Sequence, residues 1–391
     1  MRVLSLKSAG LVSLSALAIA AAPAQALELQ AGNTTLQIGG YIKLDAIYNV
    51  DQDLGDTAFF RGIDVGADND GTDVTGKTRF HANETRLSVG TRTPTAHGPV
   101  RSYIETDFFG GGGNEVVSNS SGLRLRHAFL EWNGILAGQT WSNFMPMVFA
   151  PTLDFGGPAG YIFNRQAQVR YTFPGADAGR FSVSLENPES NVVTSLDNGT
   201  RSAGDSNDPF PDVTLRFAGN AGGWVYSLSG VVTQLEVDDG NNSDRTSGFG
   251  VNAAGSYSFG GTRLGGQVGY YDGANRYLWQ NGTGFFNGYV DDSGDIETVS
   301  DFGLMLFLDQ ALSPRVNGGL VFGFVDTDSD AASEQAAGIA DDKLYTAHAN
   351  LRYRPVEQLM YGVELQWGQR ELRDGSDANA TRVQFAARLD F

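Results

Sequence analysis

Charged and hydrogen-bonding side chains recur at alternate positions in several segments of the chain. The pattern is densest between residues 86 and 170, where its members are Arg86, Arg101, Tyr103, Glu105, Asp107, Arg124, Arg126 and Arg170. Residues two apart on an extended strand share one face, so these side chains are predicted to lie on a common surface. Guanidinium groups gathered on one surface attract anions. They can also pair with Glu105 and Asp107, and the two roles are compatible.

The residue types that perform catalysis or bind metals are not grouped in this sequence. The four histidines, His81, His97, His127 and His348, lie in separate segments without nucleophile or metal-ligand spacing, and there is no cysteine. Residues 68–73 resemble a calcium loop but lack the closing glutamate of an EF-hand, which favours loose cation binding to an acidic surface. We therefore predict a protein that is not an enzyme, with no catalytic residue, no cofactor and no specific metal.

The two ends of the chain carry different signals. Residues 1–26 combine Arg2 and Lys7 with a short apolar run and a small-x-small motif, which predicts a signal peptide that is removed before Leu27. Residues 381–391 alternate apolar and charged side chains and stop on Phe391. That pattern predicts a strand with lipid on one side and water on the other. The net charge of −18 argues against nucleic acid as a partner.

Alternating segments of this kind recur along the whole chain. Sixteen of them are predicted as strands, at approximately 35–50, 78–92, 98–109, 122–133, 134–142, 162–173, 180–187, 210–218, 224–236, 247–259, 262–271, 298–309, 315–325, 343–354, 359–371 and 380–391. The connections between them alternate between short, glycine-rich turns and long, mostly acidic loops. An even strand count with this alternation is typical of an all-β, 16-stranded antiparallel transmembrane β-barrel over residues 27–391. Aromatic residues beside four of the short turns fit the lipid–water interface.

One long connection differs from the others. Residues 141–161 are apolar and aromatic, with Asp154 as their one charged group, while the remaining long loops are acidic. An apolar loop is poorly suited to open water, so we predict that it folds into the barrel and narrows it. Contact of this loop with another subunit is the alternative.

A 16-stranded barrel encloses a water-filled lumen, so inward-facing side chains are the candidate functional residues. The predicted pore-lining or constriction set joins the wall residues named above to the loop, and consists of Arg86, Arg101, Tyr103, Glu105, Asp107, Arg124, Arg126, Arg170, Arg382, Asp154 and Asn143.

Several motifs of the chain resemble the DcaP-like trimeric porins of Gram-negative bacteria. They include L-Q-I-G-G-Y-I-K-L-D at 36–45, Y-I-E-T-D-F-F-G at 103–110, L-R-L-R-H-A-F-L-E-W at 123–132, G-Q-T-W-S-N-F at 138–144 and T-L-D-F-G-G-P at 152–158. The resemblance implies a homotrimer in the bacterial outer membrane, an inward third loop and a preference for small anionic solutes. The periplasmic coiled-coil stalk found in the family's archetype is not expected, because residues 27–34 are too few for heptad repeats.

These observations predict an outer-membrane porin that passes small hydrophilic solutes passively and prefers small carboxylates. Its predicted partners are two further copies of itself, outer-membrane lipid and lipopolysaccharide, and anionic solutes. An adhesin or structural barrel with a closed pore is the alternative prediction.

Overall fold

The computed structural model describes residues 27–66, 76–113, 116–176, 178–197, 200–203, 208–238, 243–280, 285–328 and 341–391. The predicted signal peptide and the calcium-like run at 68–73 lie outside these residues. Two short 3-10 helices, Phe60–Gly62 and Asn275–Tyr277, interrupt an otherwise all-β structure in this part of the chain. No helix in the described ranges is both long and apolar enough to cross a bilayer.

The strands are numbered here in chain order. They are β1 (Leu27–Ala31), β2 (Thr34–Asn49), β3 (Lys77–His81), β4 (Arg86–Thr93), β5 (Val100–Asp107), β6 (Arg124–Trp132), β7 (Ile135–Trp141), β8 (Arg165–Thr172), β9 (Arg180–Glu186), β10 (Val192–Asp197), β11 (Thr200–Ala203), β12 (Asp212–Ala221), β13 (Trp224–Asp238), β14 (Ser243–Phe259), β15 (Thr262–Asp272), β16 (Gly288–Val290), β17 (Ile296–Thr298), β18 (Ser300–Ser313), β19 (Val316–Asp328), β20 (Asp341–Val356), β21 (Leu359–Leu372) and β22 (Asp377–Asp390).

Consecutive wall strands pair antiparallel all the way around, and β22 closes the sheet by pairing with β2. The closure reaches the carboxy-terminal residue, because Phe391 and Gly40 exchange two backbone hydrogen bonds of 3.1 and 3.0 Å. β3 and β4 both pair with β2 and together fill one wall position. The structure is therefore a closed barrel with 16 wall positions, which confirms the predicted fold.

The wall alternates between two kinds of side chain, as the sequence pattern predicts. On β18 the residues Phe302 and Leu306 are exposed on the outside, while Asp301 and Met305 are buried inside. Such alternation suits a wall with an apolar outer face and a polar lumen. Short turns connect the strands at one end, as at Asn133-Gly134, where φ angles of 51° and 83° fit a type I′ hairpin turn.

Two irregularities change which residues point inward. The predicted strand at 78–92 is broken between β3 and β4, and Glu84 in the break is buried. The register between β5 and β6 shifts between Glu105 and Thr106, which leaves Arg126 as an extra residue on β6. A β-bulge of this kind lets two successive residues share one face. Arg126 and His127 are accordingly both buried.

The described parts of three long connections pack together inside the barrel. They belong to loop 1 (residues 50–76), loop 3 (142–164) and loop 6 (273–299), and one buried apolar cluster joins them through Phe60, Phe144 and Tyr277. Its acidic composition predicts a solvated loop 1, which is wrong for the described residues of this loop, because Leu54, Phe60 and Ile63 are buried there. Loop 6 and loop 4 (187–211) also contribute a four-stranded sheet in the order β11-β10-β16-β17, where the sequence predicted only loops.

Candidate functional site

A cavity of about 320 Å³ lies between the barrel wall and loop 3. Its wall side is formed by residues of β2, β4, β5, β6 and β22, among them Tyr41, Arg86 and Arg388. Its loop side is aromatic, with Phe149, Phe155, Tyr161 and Phe163, and Trp141 at the end of β7 joins the two sides. The lining therefore combines guanidinium groups on one side with aromatic rings on the other.

The arginines of this wall are held by carboxylates. Arg388 donates to Asp390 at 2.7 Å, and Glu105 and Asp107 hold the other arginines. Arg126 donates to Glu105 at 2.7 Å and to Asp107 at 3.1 Å, and Arg124 makes a bidentate pair with Asp107 at 2.9 and 2.7 Å. Arg86 lies 3.8 Å from Glu105. Bidentate carboxylate pairs fix the position of a guanidinium group as well as its charge. We call Arg86, Arg124, Arg126 and Arg388 the arginine wall.

Aromatic rings cover the faces of these guanidinium groups. Arg126 lies over Trp141 and Phe155, with centroid distances of 5.9 and 5.5 Å. Arg388 and Arg86 lie 3.8 and 5.2 Å from the ring centroid of Tyr41. Stacking leaves the in-plane N–H donors available for hydrogen bonds, so each group keeps its capacity to bind an oxygen.

A second ionic group lies beside the cavity at the break between β3 and β4. Lys43 donates to Glu84 at 2.5 Å, lies 3.2 Å from Asp45 and also donates to the carbonyl oxygen of Leu153 in loop 3 at 2.7 Å. Glu84 additionally accepts from the hydroxyl of Tyr41. This network ties loop 3 to the wall.

Loop 3 is fixed to several strands and to loop 1. The Asp154 carboxylate accepts from the backbone N–H groups of Gly156 and Ala58, at 2.6 and 2.9 Å, and lies 3.8 Å from Arg382. On the neighbouring strand β21 the Leu153 N–H donates to Glu364 at 2.9 Å. These contacts fix the loop to two adjacent strands, β21 and β22, and to loop 1.

Loop 1 is anchored by charged groups of its own. Arg79 and Lys77 on β3 contact Asp53, with Arg79 donating to both carboxylate oxygens. The hydrogen bonds from Arg79 hold the pKa of the Asp53 carboxyl well below its usual value. A lowered pKa means that this contribution to stability is complete above the unfolded-state pKa and is lost only as the pH falls through the folded-state value.

A family model described as "DcaP outer membrane protein" matches residues 9–391. The chain belongs to this family. The outer membrane channel DcaP of Acinetobacter baumannii is 26% identical, with a TM-score of 0.77 over 93% of this chain and 99% of that one. Family membership and this structure make the chain an outer-membrane channel protein, which confirms the predicted family, fold and location.

More distant solved porins share the fold of this DcaP family member. The trimer form of OmpT from Vibrio cholerae is 12% identical, with a TM-score of 0.58 over 92% of this chain and 99% of that one. An anion-selective porin from Comamonas acidovorans is 14% identical, with a TM-score of 0.55 over 92% and 100%. No protein with a curated description matches the sequence.

The structure brings part of the predicted site together. Arg86, Tyr103, Glu105, Arg126 and Asp154 border the cavity, and Arg124 and Asp107 belong to the adjoining ion-pair network. Arg101 lies in a separate cavity of about 360 Å³ near the short turns, together with Glu131.

Three predicted residues are buried away from the cavity. Asn143 donates to Ser182 and Thr214 in the wall, and Arg170 donates to Gln168 and the carbonyl of Trp141. Arg382 donates to the carbonyl of Gly55 in loop 1. Asn143 and Arg382 thus attach loop 3 and loop 1 to the wall, whereas Arg170 links the wall strands β7 and β8.

Some residues at the site were not among the predicted ones. Tyr41, Glu84 and His127 border the cavity, and Arg165 stacks on Trp141 and Phe163. Glu84 and His127 sit at the strand break and the bulge, where simple alternation fails. Arg165 lies within the predicted strand 162–173 and shares the outward parity of Ala167 and Val169, so the period-two pattern placed it away from the lumen.

Proposed function

We propose that the chain forms a passive diffusion channel for small hydrophilic solutes with a moderate preference for anions. The observation that supports it is the arginine wall facing loop 3 across a cavity in the lumen. An anion about 4 Å from one uncompensated guanidinium group gains roughly 4 kcal/mol at an effective dielectric near 20. Salt screening reduces this value, so the preference is expected to depend on ionic strength.

The charged side chains at the cavity differ in their hydrogen-bond and ion-pair partners. Three arginines and three carboxylates border it, namely Arg86, Arg126, Arg388, Glu84, Glu105 and Asp154. Glu84 is bound by Lys43, and Asp154 by two backbone N–H groups. Arg86 retains a buried Nε without a partner. Arg126 is paired with Glu105 and Asp107, and Arg388 is paired with Asp390, so the unpartnered Nε of Arg86 is the feature of these pairings that favours an anion.

The reversal potential in a KCl gradient across a planar bilayer tests the proposal. Wild type is expected to favour chloride, and Arg86→Gln with Arg388→Gln is expected to shift the reversal potential toward cations. Reversing Arg124 and Arg126 to glutamate is less suitable, because both hold Asp107 and four carboxylates would then meet. Arg315→Gln, at an exposed short turn, is the control. A cation-selective wild type that the double variant leaves unmoved would overturn the anion preference.

A closed barrel that serves as an adhesin or structural protein is the second candidate. The observation in its favour is the buried apolar cluster through which loops 1, 3 and 6 cross the lumen. Conductance decides between the two: stepwise single-channel currents support the porin, and a correctly folded protein that carries no current supports the closed barrel.

We also propose that the channel is a homotrimer whose contact surface is its low sector, which we define as β4 to β9. These strands have 7 to 9 residues each, while β13 and β14 have 15 and 17. A membrane-crossing strand needs about 9–11 residues. Most strands of the low sector are therefore shorter than a bilayer requires, and this surface is better suited to contact with another subunit. Lipid and lipopolysaccharide would then surround the taller strands.

Polarity and strand pairing at this sector support the same surface. Thr91 and Ser102 hydrogen-bond to each other at 2.6 Å on the outward face, and Gln139 also lies there. Within the described residues β3 pairs only with β2, and a groove of about 780 Å³ separates it from loop 2 (residues 108–123). An unpaired strand edge is costly in lipid, so a second copy of this chain is the occupant that we propose.

A further inference from the structure

Arg165 differs from the other arginines near the cavity because it has no counter-charge. It begins β8 and pairs with Trp141 across the β7–β8 ladder. In the described part of the chain no carboxylate lies within ion-pair distance of it, and its buried Nη1 has no hydrogen-bond partner. Burying a guanidinium group without a partner is costly, so a position of this kind is poised for an anion from outside the chain.

The charges around Arg165 strengthen its attraction for an anion. Arg126, Arg124 and Arg86 all act on it by repulsion, and Asp107 is the carboxylate that opposes them. Asp107 is already bound by Arg124 and Arg126. The other arginines therefore take up the nearby negative charge, and the local excess of positive charge remains on Arg165.

The rings beside Arg165 determine how a ligand could approach. Its guanidinium group lies 4.7 Å from the ring centroid of Trp141 and 5.6 Å from that of Phe163. Both rings also border the cavity. The rings cover the faces of the guanidinium group, so its in-plane N–H donors are the part left to bind an oxyanion. The same rings offer an apolar surface next to that oxyanion.

We propose that Arg165 is the docking residue for organic anions in this channel. The carboxylate of the solute pairs with Arg165, and its apolar body lies against Trp141 and Phe163. An inorganic anion such as chloride uses only the charge, whereas a carboxylate with an apolar body uses both parts of the site. The inference rests on the proposed channel function, and it assigns solute specificity to a residue outside the ion-paired arginine wall.

Partial block of the chloride current by two carboxylates tests this proposal. Hexanoate is expected to block wild type at lower concentration than acetate, because only hexanoate reaches the rings. Arg165→Gln should raise the half-blocking concentration of hexanoate on the order of tenfold, the loss expected for one charged hydrogen bond. Arg165→Lys keeps the charge without the planar donor fork and should give an intermediate value. Arg315→Gln is the control and should behave as wild type.

Because the chain has no cysteine, a single introduced cysteine can be modified selectively. This allows a second test in which one variant carries either charge at position 165. Arg165→Cys is modified with a positively charged aminoethyl or a negatively charged sulfonatoethyl methanethiosulfonate. The aminoethyl adduct should restore block by hexanoate, and the sulfonatoethyl adduct should abolish it. Heat-dependent gel mobility checks that every variant is folded.

The outcomes separate this inference from the proposed function. A wild type that conducts while hexanoate block is the same in Arg165→Gln overturns the docking role and leaves the channel in place. Equal block after either adduct overturns it as well. A folded wild type that carries no current overturns the channel function, and the docking role fails with it.

Discussion

Adjacent residues of one strand can meet entirely different surroundings in this barrel. Leu306 is half exposed on the outer face, while Met305 is fully buried beneath loop 3 against Val148 and Tyr161. Leu306→Arg places a charge in lipid and should cost about 2–4 kcal/mol of stability near the membrane midplane. Urea unfolding in lipid vesicles, followed by tryptophan fluorescence, measures this loss. Leu306→Ala is the matched control, and an equal loss in both variants would contradict a lipid-facing position.

Met305 shows where residue-level prediction reaches its limit. Alternation alone places it in the lumen and predicts that Met305→Arg folds normally, but the loop that covers it makes a defect in loop packing the expected result. The outward and inward sets of β18, β21 and β22 could be predicted from the sequence, because period two needs only local information. His127 and Glu84 could not, because a bulge and a strand break depend on how neighbouring strands pair.

At the scale of elements, the docking of loop 3 depends on a close backbone approach at Gly160. A Cβ there would lie 2.4 Å from the carbonyl oxygens of both Leu304 and Phe324. Gly160→Ala should therefore displace the loop from the wall and change single-channel conductance, while heat-dependent gel mobility of the barrel stays normal. Gly375→Ala is a matched control, because Gly375 has nearly the same φ, 83° against 82°, with nothing within 4 Å. Equal conductance changes in both variants would indicate backbone strain rather than lost docking.

The inward course of loop 3 could be predicted from its composition, but that of loops 1 and 6 could not. Loop 3 is uniformly apolar, whereas loop 1 mixes the buried Phe60 and Ile63 with several aspartates. The backbone N–H of Phe60 donates a hydrogen bond of 2.6 Å to the side-chain oxygen of Gln280 in loop 6, and this contact fixes the position of Phe60. A contact between residues so far apart in the chain leaves no local pattern, so the acidic composition of loops 1 and 6 does not reveal their inward course.

At the scale of the whole molecule, the difference in strand length between the low sector and the rest of the wall leads to a prediction about assembly. Val89 and Ile104 face each other across β4 and β5 on the outer surface of the low sector, and both are exposed in the single chain. If copies of the chain meet there, Val89→Arg buries a charge between subunits, and a buried charge without a partner is strongly destabilising. Native gels and light scattering in detergent should then show trimers for wild type and monomers for the variant.

The matched control is Val251→Arg on the tall strand β14, where the valine is similarly exposed. That position is expected to face lipid, so the charge should reduce membrane insertion while the inserted fraction remains trimeric. The two variants carry the same chemical change, and only the neighbour differs. A monomeric wild type, or a trimer that survives Val89→Arg, would show that the low sector is not the subunit contact. The short strands would then have to be accommodated by a locally thinned bilayer, which is the remaining way to cover a wall of this height.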